Sequence, residues 1–196
     1  MQPTDIEVIS ELSPMQQAML FHSLYAPGSG VYVLQMSLRL TGRLDVPAFE
    51  RAWHHVIARH GILRSAFFWE DLEKPAQVVF RSADLKVERE SWRDLGPEDQ
   101  RARLARFLEA DRERGFELTE TPLMRLALLE LDAGVHQLVW TQHHLVVDGW
   151  SQGQVLQELL AAYAAFSESS EPRLEPARSF RDRGSVEMPC AAPPAP

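Results

Sequence analysis

Cysteine is nearly absent from this 196-residue chain: the single one, Cys190, sits in a terminal stretch rich in proline and alanine. No intrachain disulfide can form, which suits a reducing compartment, and a thiol in such surroundings makes a poor nucleophile. Positive charge is also scarce, since 20 Lys and Arg stand against 28 Asp and Glu for a formal net charge of −8. Phosphate backbones are held by clustered cations, so nucleic acid is excluded as a partner. No apolar run approaches the roughly 18 residues that a membrane helix needs, and Met1 to Ser10 lack a basic-then-apolar leader pattern. These absences predict a cytoplasmic protein without a membrane partner.

Hydrophobic residues make up 45% of the chain, enough for one real core and too few residues for two comfortable domains. Ser13-Pro14-Met15-Gln16 reads as a helix start, with Ser13 as N-cap and Gln16 placed to reach back. Met15, Ala18 and Met19 share a face of that helix, and the apolar run from Met19 to Tyr25 is expected to be core. The helix should end before Pro27-Gly28. A strand is expected from Val31 to Leu40, then a helix capped by Asp45 and stopped by Gly61 in which Val46, Phe49, Trp53, Val56, Ile57 and His60 recur at helical spacing. His54 and His55 lie mid-helix and are read as surface residues. Short strands follow at 76–81 and 86–90, and a charged helix runs from Glu98 to Arg114 with Leu104, Phe107 and Leu108 inward. Leu123 to Leu131 and Val135 to His143, joined by Asp132-Ala133-Gly134, read as an antiparallel hairpin. From Gly149 a helix should carry Val155, Leu156, Leu159, Leu160, Tyr163 and Phe166 as its apolar stripe. The end of the chain, 183–196, reads as disordered.

Chemistry concentrates where the second hairpin strand runs out, at His143-His144-Leu145-Val146-Val147-Asp148-Gly149-Trp150-Ser151. Adjacent side chains on a strand point to opposite faces, so one histidine supports while the other works. Three bland or rival readings compete. A metal site lacks His-x-His or His-x-x-x-His spacing nearby and would need distant ligands. Gly149-Trp150-Ser151-Gln152-Gly153 satisfies the nucleophile-elbow pattern, but no histidine follows His144 to complete a triad in the order that fold uses. The third reading makes both histidines core residues and Asp148 an N-cap.

The run His-His-x-x-x-Asp-Gly resembles the signature of the condensation domains of nonribosomal peptide synthetases, relatives of chloramphenicol acetyltransferase. Two further stretches resemble the same family: Leu12-Ser13-Pro14-Met15-Gln16 with the Met19 to Tyr25 run and Gly30-Val31-Tyr32, and Arg59-His60-Gly61-Ile62-Leu63-Arg64-Ser65-Ala66-Phe67. The resemblance implies an α+β fold, a chloramphenicol acetyltransferase-like lobe of mostly antiparallel sheet with helices packed on it, spanning 13–182 after an N-terminal segment at 1–12. It implies amide formation between a carrier-bound acyl or peptidyl thioester and a carrier-bound aminoacyl amine. His144 is then the catalytic residue, His143 braces the loop, and Gly149 allows close backbone approach. An arginine of the second motif pairs with Asp148, a role that falls to Arg59 with Arg64 as the alternative.

The same resemblance implies that no metal or dissociable cofactor binds this chain directly, phosphopantetheine being carried by the partner peptidyl or acyl carrier proteins. The motif wording looks most like the subtype that joins two L-configured residues. The family continues through a segment like Ser179-Phe180-Arg181-Asp182 into a second lobe, so the switch after Asp182 is read as a truncation or an out-of-frame end. Two function classes follow: a transferase completed by a second lobe or by self-association, and an inactive remnant or docking module. An O- or N-acyltransferase of the same superfamily is a further alternative.

Overall fold

Capping chemistry and apolar spacing divide the chain into β1 (Ile6–Glu11), α1 (Pro14–Tyr25), β2 (Val33–Thr41), α2 (Val46–Arg59), a 3-10 turn (Gly61–Arg64), β3 (Ser65–Phe68), β4 (Ala76–Phe80), β5 (Val87–Ser91), α3 (Pro97–Arg114), β6 (Met124–Asp132), β7 (Val135–His143) and α4 (Gly149–Ser167). The computed structural model describes residues 5–26 and 28–175. Pro27, Cys190, the Ser179 to Asp182 segment and the expected tail at 183–196 lie outside the described residues.

Two sheets form. The larger has strand order β2-β7-β6-β5 and the smaller β1-β4-β3. All pairings are antiparallel except β5 with β6. Strands β2 and β7 pair over their whole length, from Thr41 opposite Val135 to Val33 opposite His143. Gly134, at φ 72°, supplies the left-handed turn between β6 and β7 that an ordinary residue resists.

Both faces of β7 are covered. Trp140 meets Trp53 of α2 edge to face at 5.0 Å, both fully buried, and Val155, Leu159 and Phe166 of α4 join the same core. On the other face Val139, with Ala127 and Leu129 of β6 and Trp92, packs under Leu104, Phe107 and Leu108 of α3. Strands that read as an apolar run on both faces belong in the middle of a layered fold.

Buried polar groups fasten the layers and explain two of the sequence motifs. Gln16 closes the capping box with Ser13 and donates through Nε2 to Gln77 Oε1 at 3.0 Å, Gln77 donates to Ser65 Oγ at 2.9 Å, and Ser65 donates to the Gly61 carbonyl at 3.0 Å. Asp111 of α3 accepts from Arg125 Nε at 2.8 Å and Gln35 Nε2 at 3.0 Å, and also from the Thr141 hydroxyl. Burial pushes the Asp111 carboxyl up, but the bonds from Thr141, Arg125 and Gln35 outweigh it and hold the group below its ordinary value.

Four expectations need correction. The apolar run on α1 is not core throughout: Leu20 is buried with Gln16, while Met15, Leu24, Phe21 (64% exposed) and Tyr25 (81%) face outward. Leu160 is likewise exposed, the inward stripe of α4 being Val155, Leu159, Ala162 and Phe166. His55 is half-buried with its ring edge-on to Phe166 at 5.8 Å, and burial lowers its pKa. Ile6–Glu11 forms a strand paired with β4, where the sequence reading has only an N-terminal segment.

Trp53→Ala removes the largest side chain of the core and should lower unfolding stability by about 3–5 kcal/mol in urea denaturation. Tyr25→Ser, on the outward face of α1, should change it by less than about 0.5 kcal/mol. Equal losses for the two would contradict the burial described above.

Candidate active site

Hydrogen bonding in the large sheet stops at the last rung of β7, and the chain then folds into a turn. The His143 amide donates to the Leu123 carbonyl at 3.0 Å, the His144 amide to the Tyr32 carbonyl at 2.8 Å, and the Val146 amide to the His143 carbonyl at 3.1 Å. Leu145, Val146 and Val147 are all buried, so the turn is anchored in the core on the far side of His144. Asp148 then caps α4: its Oδ1 accepts from the Ser151 amide at 2.7 Å and the Ser151 hydroxyl at 2.5 Å, while its own amide donates to Ser151 Oγ at 3.0 Å. The hydrogen bonds from Ser151 hold the Asp148 carboxyl below its ordinary value, with a smaller contribution from neighbouring His144.

The two histidines diverge. His143 is buried: its Nδ1 accepts from the Leu145 amide at 3.2 Å, and its Nε2 lies 3.4 Å from Ser23 Oγ of α1. Since Nδ1 accepts, the ring proton belongs on Nε2. Phe116 stands edge-on to this ring at 6.2 Å, with the Arg125 guanidinium 4.2 Å from the Phe116 centroid on its face. A cavity of about 270 Å³ opens on this side, lined by His143, Ser23, Trp69, Phe116, Leu118 and Val33 among others. Burial, with the neighbouring His144 adding to it, lowers His143 from 6.5 to about 4, so at neutral pH it places no cation beside its neighbour.

His144 is only partly buried, and its Nδ1 lies 2.9 Å from the Val147 carbonyl oxygen. A carbonyl can only accept, so Nδ1 carries the proton and the neutral ring presents its lone pair at Nε2. Nε2 meets no hydrogen-bond partner among the described residues. The opposite tautomers of adjacent imidazoles are thus both set by backbone groups of one turn.

The expected ion pair of Asp148 with Arg59 or Arg64 is not formed, since both arginines pair elsewhere. Arg59 Nε donates to Glu158 Oε2 at 3.0 Å, where His60 Nε2 also lies at 2.8 Å, and its NH2 donates to the Glu175 carbonyl at 2.5 Å. Glu158 is about 15 Å further along α4 than Asp148 at a rise of 1.5 Å per residue, and the last turn of α2 faces it instead. Arg64 is buried and held by Glu7 at 2.8 Å, by the Ile57 carbonyl at 3.1 Å and by the Phe80 carbonyl. Gly149 opens α4 in free space, since an added Cβ there would meet nothing within 4 Å. Ser151 serves the helix cap. Among the described residues no group of three His, Cys, Asp or Glu side chains is placed to hold a metal ion.

Two groups at this site lack a sequence signal of their own. The Val147 carbonyl is main chain. Tyr32 lies in the Gly30-Val31-Tyr32 stretch, but nothing in spacing says that its ring stacks on His144, 6.3 Å between centroids at 29°.

The family model described as Condensation domain matches residues 6–183. The chain is 45% identical over 178 residues to one of the proteins that make up the linear gramicidin synthase of Brevibacillus parabrevis, the match covering 91% of this chain and 2% of that protein. It is 48% identical over 169 residues to another protein of the same synthase, covering 86% and 3%. In fold it is similar to the starter condensation domain of rhizomide synthetase, with a TM-score of 0.80 at 22% identity over 90% of this chain and 42% of that one. It is also similar to the first condensation domain of the calcium-dependent antibiotic synthetase solved with a substrate analogue, TM-score 0.81 at 20% identity, over 92% and 44%. The chain therefore spans under half of these solved domains and a few per cent of the synthase proteins. No helix among the described residues is long and apolar enough to cross a membrane.

Because His143 is held neutral in the fold and titrates near 6.5 when free, the unfolded chain binds a proton between these values that the folded chain refuses. Its penalty is absent above pH 6.5 and grows as pH falls toward 4, reaching roughly 3 kcal/mol. His143→Gln should flatten that part of the stability curve in urea titrations at pH 7, 6 and 5. A wild-type and variant pair with parallel curves would show that His143 is charged in the folded chain.

Proposed function

The chain belongs to the condensation-domain family, and we propose that it contributes the proton-accepting histidine to amide bond formation between two carrier-bound substrates. The observation that carries this reading is the Nδ1 contact of His144 with the Val147 carbonyl at 2.9 Å, which leaves the lone pair of the neutral ring on Nε2 of a partly exposed side chain. The amine nitrogen of a carrier-bound aminoacyl group attacks the carbonyl carbon of an acyl or peptidyl thioester. Nε2 of His144 takes the proton that the nitrogen sheds, the C–S bond breaks, and the sulfur leaves as a thiolate on the phosphopantetheine arm of the donor carrier, where it receives that proton from Nε2. Taking a proton from the attacking amine in the transition state is the usual work of a positioned imidazole acting as general base.

Other residues act through this one. His143, neutral and accepting the Leu145 amide, holds the turn without adding charge. Asp148 fixes the start of α4, and with it the Val147 carbonyl that orients the ring. Gly149 leaves room for an approaching substrate arm. Arg59 and Arg64 support the site at a distance, by joining α2 to α4 and to the small sheet.

The solved relatives are more than twice as long as the part this chain matches, and the site lies on a surface with exposed Phe21, Tyr25 and Trp150. We assign the complementary wall to a second lobe of the same family, with carrier proteins delivering both substrates in the cytoplasm.

The test measures amide product from acyl-loaded and aminoacyl-loaded carrier proteins, with a second condensation lobe fused to this chain. His144→Ala should lower the rate by about 10²–10⁴-fold, the range for loss of a general base. Product formed equally well without the His144 imidazole would sink the reading.

A further inference from the structure

We propose that Tyr32 is the positioning residue of His144, fixing the imidazole through its backbone carbonyl and its ring at once. This role presupposes His144 as the working base and adds to it a group to which none of the three motifs gives a task. Its first sign is a backbone anomaly. Tyr32 has φ 65°, in the left-handed region that a bulky side chain enters at a cost and keeps only where the surroundings impose it.

The surroundings do impose it. Gly30, at φ 68°, passes so close to α3 that an added Cβ would stand 3.1 Å from Arg112 Cγ. Val33 must then enter β2 on the rung opposite His143. The Val33 amide donates to the Gly30 carbonyl at 3.1 Å, closing a turn in which Tyr32 is the third residue, the place where a positive φ is required. Its consequence is that the Tyr32 carbonyl meets the His144 amide at 2.8 Å, just past the last rung of the sheet. An extended Tyr32 would aim that carbonyl elsewhere.

The ring completes the arrangement. It lies near-parallel to His144 at 29° and 6.3 Å, tilted to His143 at 6.3 Å and to His22 at 6.4 Å. Centroid separations of this size are those of interacting aromatic pairs. With Nδ1 tied to Val147, the freedom left to the His144 ring is a swing about its side-chain torsions, and the Tyr32 face stands in the path of that swing. Proton transfer depends on sub-ångström placement of the accepting atom, so a group that merely blocks rotation acts on the rate.

The experiment uses the whole 196-residue chain labelled with 15N at histidine. NMR should report the Nδ1–H tautomer of His144 in wild type, a mixture of tautomers in Tyr32→Ala, and a return to the wild-type pattern in Tyr32→Phe. If Tyr32→Ala does not fold, Tyr32→Gly, which adopts the left-handed φ freely, carries the same readout. In the amide-forming assay with the second lobe fused, Tyr32→Ala should lower kcat about 10- to 100-fold with KM within about twofold, and Tyr32→Phe should recover most of it. A folded Ala or Gly variant with the wild-type tautomer pattern overturns the proposal, as does failure of Tyr32→Phe to restore that pattern. A disturbed tautomer in an assay indifferent to His144→Ala would instead keep the positioning role and remove the catalytic one.

Discussion

Strand β7 is paired on both edges and covered on both faces, and the geometry of the histidine turn follows from where that strand has to stop. Its register with β2 runs through nine pairs and ends with His143 opposite Val33. Beyond that rung there is no ladder partner, so each further main-chain group must find another one. The His144 amide takes the Tyr32 carbonyl, the Val146 amide takes the His143 carbonyl, and the Val147 carbonyl takes the His144 ring. The turn is a solution to backbone satisfaction, and the orientation of the exposed imidazole comes with it.

The same requirement separates the two histidines chemically. Buried His143 spends both nitrogens inside the protein, on Leu145 and toward Ser23. A second cation so close to His144 would disfavour protonation there, and burial removes that cation at neutral pH. Asp148 is spent in the helix cap, its Oδ1 receiving both donors of Ser151. In place of the ion pair that the sequence motifs suggest, it makes local hydrogen bonds, in keeping with the short reach of an N-cap. The guanidinium of Arg59 meanwhile ties the far end of α2 to α4 through Glu158. Burial pushes the Glu158 carboxyl up, but the bonds from Arg59 and His60 outweigh it and keep the group low.

What was legible in the sequence was local. The Ser13–Gln16 capping box, the Asp45 cap and the Asp132-Ala133-Gly134 hairpin each depend on residues within three or four positions, and each appears where its signal lies. The order of three motifs pointed to the family and the fold. Facts set by the third dimension were not legible. Periodicity shows that α1 has an apolar face but not whether anything lies over it, and Phe21 and Tyr25 stack on each other outside the core at 6.1 Å. Arginine motifs show that a cation is needed but not which carboxylate a helix end will face. Strand β1 was readable in principle, because Ile6 and Val8 alternate with Glu7 in the period-two pattern of a half-buried strand.

Exposure at this site is selective. A histidine acting on a large substrate needs one open nitrogen and a ring that does not rotate, two demands that ordinarily conflict: opening a side chain to solvent frees its torsions. Here the conflict is resolved by asymmetry within one residue. Nδ1 is held by Val147 and the ring pairs with Tyr32, while Nε2 meets no hydrogen-bond partner among the described residues. Trp150, 72% exposed in the first turn of α4, and the outward residues of α1 leave apolar surface where a protein in isolation would bury it. The His144 ring is tied down at Nδ1, while the surface around it keeps apolar side chains open to solvent.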